Sequence, residues 1–172
     1  MVDILEDLGR KTPRYSMKHR QLIEGFAKKG AIDYYEKREK SYDLGKFFNN
    51  FYEFYVYASF IGLYTDNPVP ITKGDETKTF SVPMRDWTSN NSAPVVQYLW
   101  MATIVKSGID LNDLESMDDK GVEREMRNIK DRIEAYANGG FEFIAAKVEE
   151  NSSFFDDDDC FVKLLKEVEF QN

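Results

Sequence analysis

Side chains able to do acid, base or nucleophilic chemistry are few in this sequence. The one histidine, His19, stands between Lys18 and Arg20, and the one cysteine, Cys160, follows the run "DDDD". Neighbouring cations disfavour protonation of an imidazole, so His19 is expected on the charged, solvated face of a helix rather than at a catalytic centre. A zinc site needs several His or Cys ligands, and a cysteine nucleophile needs a base to activate it; the sequence supplies neither set. "DDDD" lacks the alternating spacing and distal Glu of a calcium-binding loop and reads as a solvated helix cap. "GDETKTF" lacks the glycine-rich turn and following Lys-Ser/Thr of a phosphate loop. A pair of carboxylates doing acid-base work stays open, but nothing selects it from 31 Asp and Glu residues. No catalytic residue, cofactor or metal is assigned, and the chain reads as non-enzymatic.

Three groups of side chains could bind rather than react. Residues 10–40 carry ten Lys and Arg against four acids, a net of +6, whereas residues 107–172 carry eight bases against eighteen acids, a net of −10. The whole chain, at −8, should repel nucleic acid, yet Arg10, Lys11, Arg14, Lys18, Arg20, Lys28 and Lys29 could attract phosphate or an acidic partner. The other fate of these cations is pairing with the acidic C-terminal half. The second group lies in "FFNNFYEFYVYASFIGLYTDNPVP", which starts at Phe47. On a helical wheel most of its aromatics cover one wide face, leaving a strip of Glu53, Tyr57, Phe60 and Tyr64. The polar tips of Glu53, Tyr57 and Tyr64 need water or partners. The third group is Arg85, Asp86 and Trp87, ahead of a helix N-terminus that could hold an anion. Arg85 and Trp87 are candidate hot spots for a docking partner. The alternative there is a capped loop, with Trp87 folded onto the core and Arg85 paired with Asp86.

The elements that must position these groups are mostly helices. A chain of 172 residues is most simply one domain, residues 1–172, able to bury a core without disulfides. A single cysteine, and acids ahead of the first base in "MVDILEDLGR", predict a reducing, cytoplasmic setting. Asn49, Asn50 and Glu53 interrupt the aromatic run, so no stretch of about eighteen apolar residues predicts a membrane span. Apolar spacing at Leu22, Ile23, Phe26 and Ala27 predicts a first helix with Ser16 as N-cap. Asp43 is the predicted cap of the aromatic helix, which Asp66, Asn67 and Pro68 should end. Residues 68–84 read as an extended loop or small β-hairpin turning at "KGDE". Ser92 and Pro94 open a helix that Gly108 ends, "IDLNDLESMDDKG" is a short link, and a charged helix follows with Val122, Met126, Ile129, Ile133 and Tyr136 on one stripe. Asn138, Gly139 and Gly140 are predicted to stop it, with two short helices beyond. The fold class is mainly α: about six helices around a central aromatic helix.

A family resemblance rests on these same structural motifs. "YASFIGLYTDNPVPI", followed after a gap by "IEAYANGGFEFIAAKV", resembles the small accessory proteins of bacterial DNA phosphorothioation systems, the DNA-sulfur-modification-associated protein 4 family. The matching residues are Ala58, Ser59, Gly62, Pro70 and Ile71, then Tyr136, Ala137, Asn138, Gly139 and Gly140. They cover about half the chain; "EREKSYDLGKFFNN" and "RDWTSNNS" depart from the pattern. The resemblance implies a bacterial accessory protein of DNA modification, restriction and antiviral defence, with no catalytic residues to carry over. Two functions are therefore expected as alternatives. One is a non-enzymatic adaptor contacting protein subunits of such a complex, with DNA phosphates met by the basic segment. The other is a small-ligand-binding or hydrolase-like protein using Glu53, Tyr57 and Asp86 in an inter-helical pocket. The identity of the partner and the oligomeric state stay open.

Overall fold

The structure, a computed structural model, describes residues 3–27, 47–88 and 93–170. Among them are seven α-helices: α1 (Ile4–Gly9), α2 (Arg20–Phe26), α3 (Phe51–Tyr64), α4 (Ala93–Ser107), α5 (Leu111–Ser116), α6 (Asp119–Glu150) and α7 (Cys160–Glu169). Short 3-10 turns occupy Met17–His19, Met84–Thr88 and Ser152–Asp156. Two three-residue strands, β1 (Arg14–Ser16) and β2 (Thr77–Thr79), pair antiparallel with Arg14 opposite Thr79. The mainly α architecture agrees with the sequence reading, and no helix among the described residues is long and apolar enough to cross a membrane.

Helix starts follow from short polar side chains that accept bonds from otherwise unpaired backbone N–H groups. Asp3, Asn50, Asp110 and Asp118 accept from the N–H groups of Glu6, Glu53, Asn112 and Gly121, which opens α1, α3, α5 and α6. The cap of the aromatic helix is thus Asn50; the predicted Asp43 lies outside the described residues. Phe47 and Phe48 precede α3 and pack on the core as a separate segment, where the Phe48 N–H donates to the Phe26 carbonyl. Ser16 makes no side-chain cap bond, because it is committed to β1 and the helix begins at Arg20.

Two further differences from the sequence reading have clear physical reasons. The extended segment turns at "KGDE" as expected, with the Asp75 N–H donating to the Thr72 carbonyl at 3.1 Å, but no hairpin ladder forms within it. Its strand β2 pairs instead with β1, some sixty positions upstream, because the buried rings of Tyr15 and Phe80 meet at 5.2 Å beside the ladder. Nor do Asn138, Gly139 and Gly140 stop a helix: α6 runs unbroken for 32 residues. These glycines serve closeness of approach. A Cβ on Gly140 would lie 1.8 Å from the Ala58 carbonyl oxygen, one on Gly139 1.7 Å from that of Asn67, and one on Gly62 2.0 Å from that of Tyr136. The backbones of α3 and α6 touch here, and the pair forms the most extensive contact between elements.

Around that crossing the described residues share one hydrophobic core. Phe54 and Tyr55 of α3, Phe141 of α6, Phe26 of α2, Phe155 and Phe161 meet there, mainly edge to face: Phe54 stands 5.3 Å from Phe141 at 76°, and Phe26 5.0 Å from Phe161 at 87°. Such pairs add about 1 kcal/mol each beyond area burial.

Alanine would raise intrinsic helix propensity at Gly62, Gly139 or Gly140 by about 1 kcal/mol, but overlap with a carbonyl oxygen outweighs that gain. G62A, G139A and G140A are each expected to lower unfolding free energy by about 3 kcal/mol in urea titrations. G74A, where a Cβ meets nothing within 4 Å, should change it by less than about 0.5 kcal/mol.

Candidate functional site

The strip left over by the helical wheel lines a groove. Tyr52, Glu53, Val56, Tyr57, Phe60 and Tyr64 of α3 form one wall, and Phe48, Trp87, Val95 and Val96 of α4, and Leu165 of α7 complete a half-open trough of about 470 Å³. Glu53, Tyr57, Tyr64 and Trp87 are thereby brought together, as candidates drawn from two separate stretches of sequence. Arg85 and Asp86 are not among the lining residues: both are exposed and pair with each other at 3.8 Å. Trp87 is buried, stacked on Tyr52 at 5.0 Å, and donates its indole N–H to the Val82 carbonyl at 3.1 Å.

Several polar atoms of the groove have partners within the fold. Tyr57 Oη donates to the Phe161 carbonyl at 2.6 Å, and burial pushes the phenol pKa well above its ordinary value. Tyr52 Oη lies 3.4 Å from Ser81 Oγ. Glu53 Oε2 accepts from the Asn49 N–H at 2.9 Å while the Glu53 N–H donates to Asn50 Oδ1, two bonds to successive residues that fix the first turn of α3. General acid-base catalysis needs a proton-transferring group free to meet substrate near neutral pH. Tyr57 does not meet that requirement, and Glu53 is the one carboxylate among the described lining residues, with no histidine beside it. The arrangement suits binding of apolar and aromatic surface.

The groove opens onto a stripe that sequence reasoning missed. Val95, Tyr98, Met101 and Val105 recur along one side of α4 and are 44%, 64%, 55% and 78% exposed, while Val96, Leu99, Trp100 and Ile104 on the other side are buried. The available signal was the all-round apolar character of "APVVQYLWMATIVKSG". A helix apolar on every face has either neighbours on every face or a surface waiting for one.

The basic segment is engaged with carboxylates. Arg14 reaches Glu134 of α6 at 2.9 Å, Lys18 reaches Glu142 of α6 at 2.5 Å, Arg20 reaches Glu24 at 2.7 Å, and Arg10 pairs with Glu6 and Asp7. Lys11 is half-buried, and Lys28 and Lys29 lie outside the described residues. Glu134, only 2% exposed, also accepts from the Arg14 backbone N–H at 2.8 Å and pairs with Lys130 at 3.0 Å.

His19 is not on a solvated face. It is 5% exposed, packed 5.3 Å from the Phe141 ring, with Nε2 2.7 Å from Asn138 Oδ1. Asn138 Nδ2 donates to the Val69 carbonyl, so its oxygen faces the imidazole and Nε2 carries the hydrogen. Burial, more than the cation Lys18, lowers the His19 pKa, against the opposing Asn138 bond and Glu142 charge. Cys160 is buried, and burial pushes its thiol pKa up, away from nucleophilic behaviour. Among the described residues no three His, Cys, Asp or Glu side chains are grouped to hold a metal.

Comparison with protein-family models, curated proteins and solved structures finds no match for this chain.

Because the folded pKa of His19 is lowered, the unfolded chain binds more protons from its ordinary value, about 6.5, downward. Stability is therefore expected to fall as pH drops below that value toward the lowered folded one. Thermal melts between pH 7.5 and 6, before carboxylates titrate, should show the decline, and H19Q, which keeps a donor for Asn138, should flatten it.

Proposed function

We propose that this protein is a non-enzymatic adaptor that acts through protein contacts, in the setting its sequence resembles, a bacterial DNA modification and restriction system linked to phosphorothioation. The observation that carries the adaptor reading is the apolar groove along α3 together with the exposed stripe of Val95, Tyr98, Met101 and Val105 on α4, which shares Val95 with it. Exposed apolar surface carrying aromatic and Met side chains is characteristic of interfaces. The setting is supported by the residues of the resemblance, of which Ala58, Gly62, Tyr136 and Gly140 pack at the α3 and α6 crossing.

Protein contact is the better supported route, and phosphate contact the lesser one. For DNA to engage the basic segment, Arg10, Arg14, Lys18 and Arg20 would have to exchange carboxylate partners for phosphates. A small-ligand or hydrolase-like function is less supported still: Tyr57 Oη is held by a backbone carbonyl, and Asp86 stands outside the groove.

Co-expression with the products of the adjacent genes tests the adaptor reading. The wild-type chain is expected to co-elute with one of them, and the double variant Y98E/M101E to lose it while keeping its melting temperature. Failure of every product to co-elute with the wild type would overturn the proposal. In anisotropy titrations against duplex DNA, the slope of log affinity on log salt should stay well short of about −6, the value for seven neutralised phosphates at roughly −0.9 each.

A further inference from the structure

The groove is selective in charge as well as apolar. Glu53 is the one ionisable carboxylate or cation among the described lining residues, and it forms no ion pair with any described residue. Its carboxylate is held at the rim by the Asn49 N–H. The remaining walls are largely aromatic: Tyr52 stacked on Trp87 at 22°, with Phe48, Tyr57, Phe60 and Tyr64 around them. Aromatic faces carry negative quadrupole density, which attracts cations and repels carboxylates. A carboxylate set in such a trough, on a chain of net charge −8, makes it complementary to a positive group whose stem is apolar. Lys and Arg have that construction, a charged head on a hydrocarbon stem.

The shape argues for a polypeptide. The trough is half-open, and Val95 on its wall stands one helical turn from exposed Tyr98, with exposed Met101 a turn further, so an occupant reaching Glu53 can continue along α4. The hydroxyls of Tyr52 and Tyr57 face Ser81 and Phe161 and are not arrayed to orient a small polar molecule.

Resting on the adaptor reading, we propose that the partner presents a segment with a Lys or Arg flanked by apolar side chains. The cation docks against Glu53, its stem lies on the aromatic walls, and the flanking apolar residues cover the α4 stripe.

The substitution E53Q removes the charge and keeps the N-terminal bond, because the amide oxygen of Gln can accept from the Asn49 N–H as the carboxylate does. Two amidated helical peptides serve as probes for calorimetric titration of the full chain, one of Leu, Ala and Arg, the other with every Arg replaced by Glu. The Arg peptide is expected to bind and to lose about tenfold in affinity to E53Q, the scale of one charge-assisted hydrogen bond; the Glu peptide is expected not to bind. Equal binding of both peptides, or an unchanged affinity in E53Q, would overturn the cationic anchor and leave the apolar adaptor surface standing. Binding of neither peptide overturns the proposal. So does binding of n-butylguanidinium as tightly as the Arg peptide, which assigns the groove to a small cation, or self-association of the chain that E53Q dissolves, which assigns it to a second copy. Loss of co-elution in the adjacent-gene experiment bears on the adaptor reading separately, since it does not depend on Glu53.

Discussion

The backbone contact between α3 and α6 is the constraint on which the rest of the structure depends. Helix axes ordinarily lie 8–10 Å apart because side chains intervene. With no Cβ at Gly62, Gly139 and Gly140, and only a methyl at Ala58, carbonyl oxygens of each helix lie against the other. Each glycine forgoes about 1 kcal/mol of helix propensity, a loss that α6 can tolerate because its 32 residues are anchored at both ends by other contacts. Closeness at the crossing decides which way α3 faces, and hence which of its aromatics enter the core and which are left for the groove.

A layer of polar bonds fixes the same two helices against the N-terminal segment. Asn138, next to the glycines, bonds His19 on one side and the Val69 carbonyl on the other, while the Val69 N–H donates to the Ala135 carbonyl. One turn away Glu134 gathers the Arg14 backbone, the Arg14 guanidinium and Lys130, and Tyr55 Oη donates to the Arg14 carbonyl. Buried polar groups of this kind are costly to leave unpaired, and no side-chain nitrogen or oxygen buried among the described residues lacks a partner. The result is register: β1 can sit in one place only along α6, which in turn sets where β2 and the Trp87 turn arrive.

Much of the fold was legible because it is written in local patterns. The apolar arc of α3, the start of α4 near Pro94 and its end at Gly108, with φ +68°, and the apolar stripe of α6 follow from periodicity and backbone preference. The strip of Glu53, Tyr57 and Tyr64 was legible for the same reason, since a wheel separates it from the buried arc. What was not legible depends on distant residues. Asn-Gly-Gly reads locally as a helix stop, and only the approach of Ala58, some eighty residues upstream, reveals it as a contact surface. His19 between two cations reads as solvated, and only Asn138 and Phe141 explain its burial. The candidate site was half readable: the α3 wall came from the sequence, whereas the α4 stripe needed the knowledge of which face of that helix has no neighbour among the described residues.

The division of labour on α3 also bears on how the proposed binding surface can coexist with so aromatic a core. A surface built from large rings would deform easily if the rings were free to change rotamer. Here they are held from behind: Tyr57 by the Phe161 carbonyl and the Phe161 ring at 89°, Tyr52 by Trp87 and Phe80, and Phe48 stacked on Phe54 at 23°. Preorganised rings lose little conformational entropy when a partner arrives, and ordering of side chains is one of the main costs that oppose association. The same contacts that complete the core therefore prepare the groove, so a substitution behind the rings should weaken docking before it unfolds the protein.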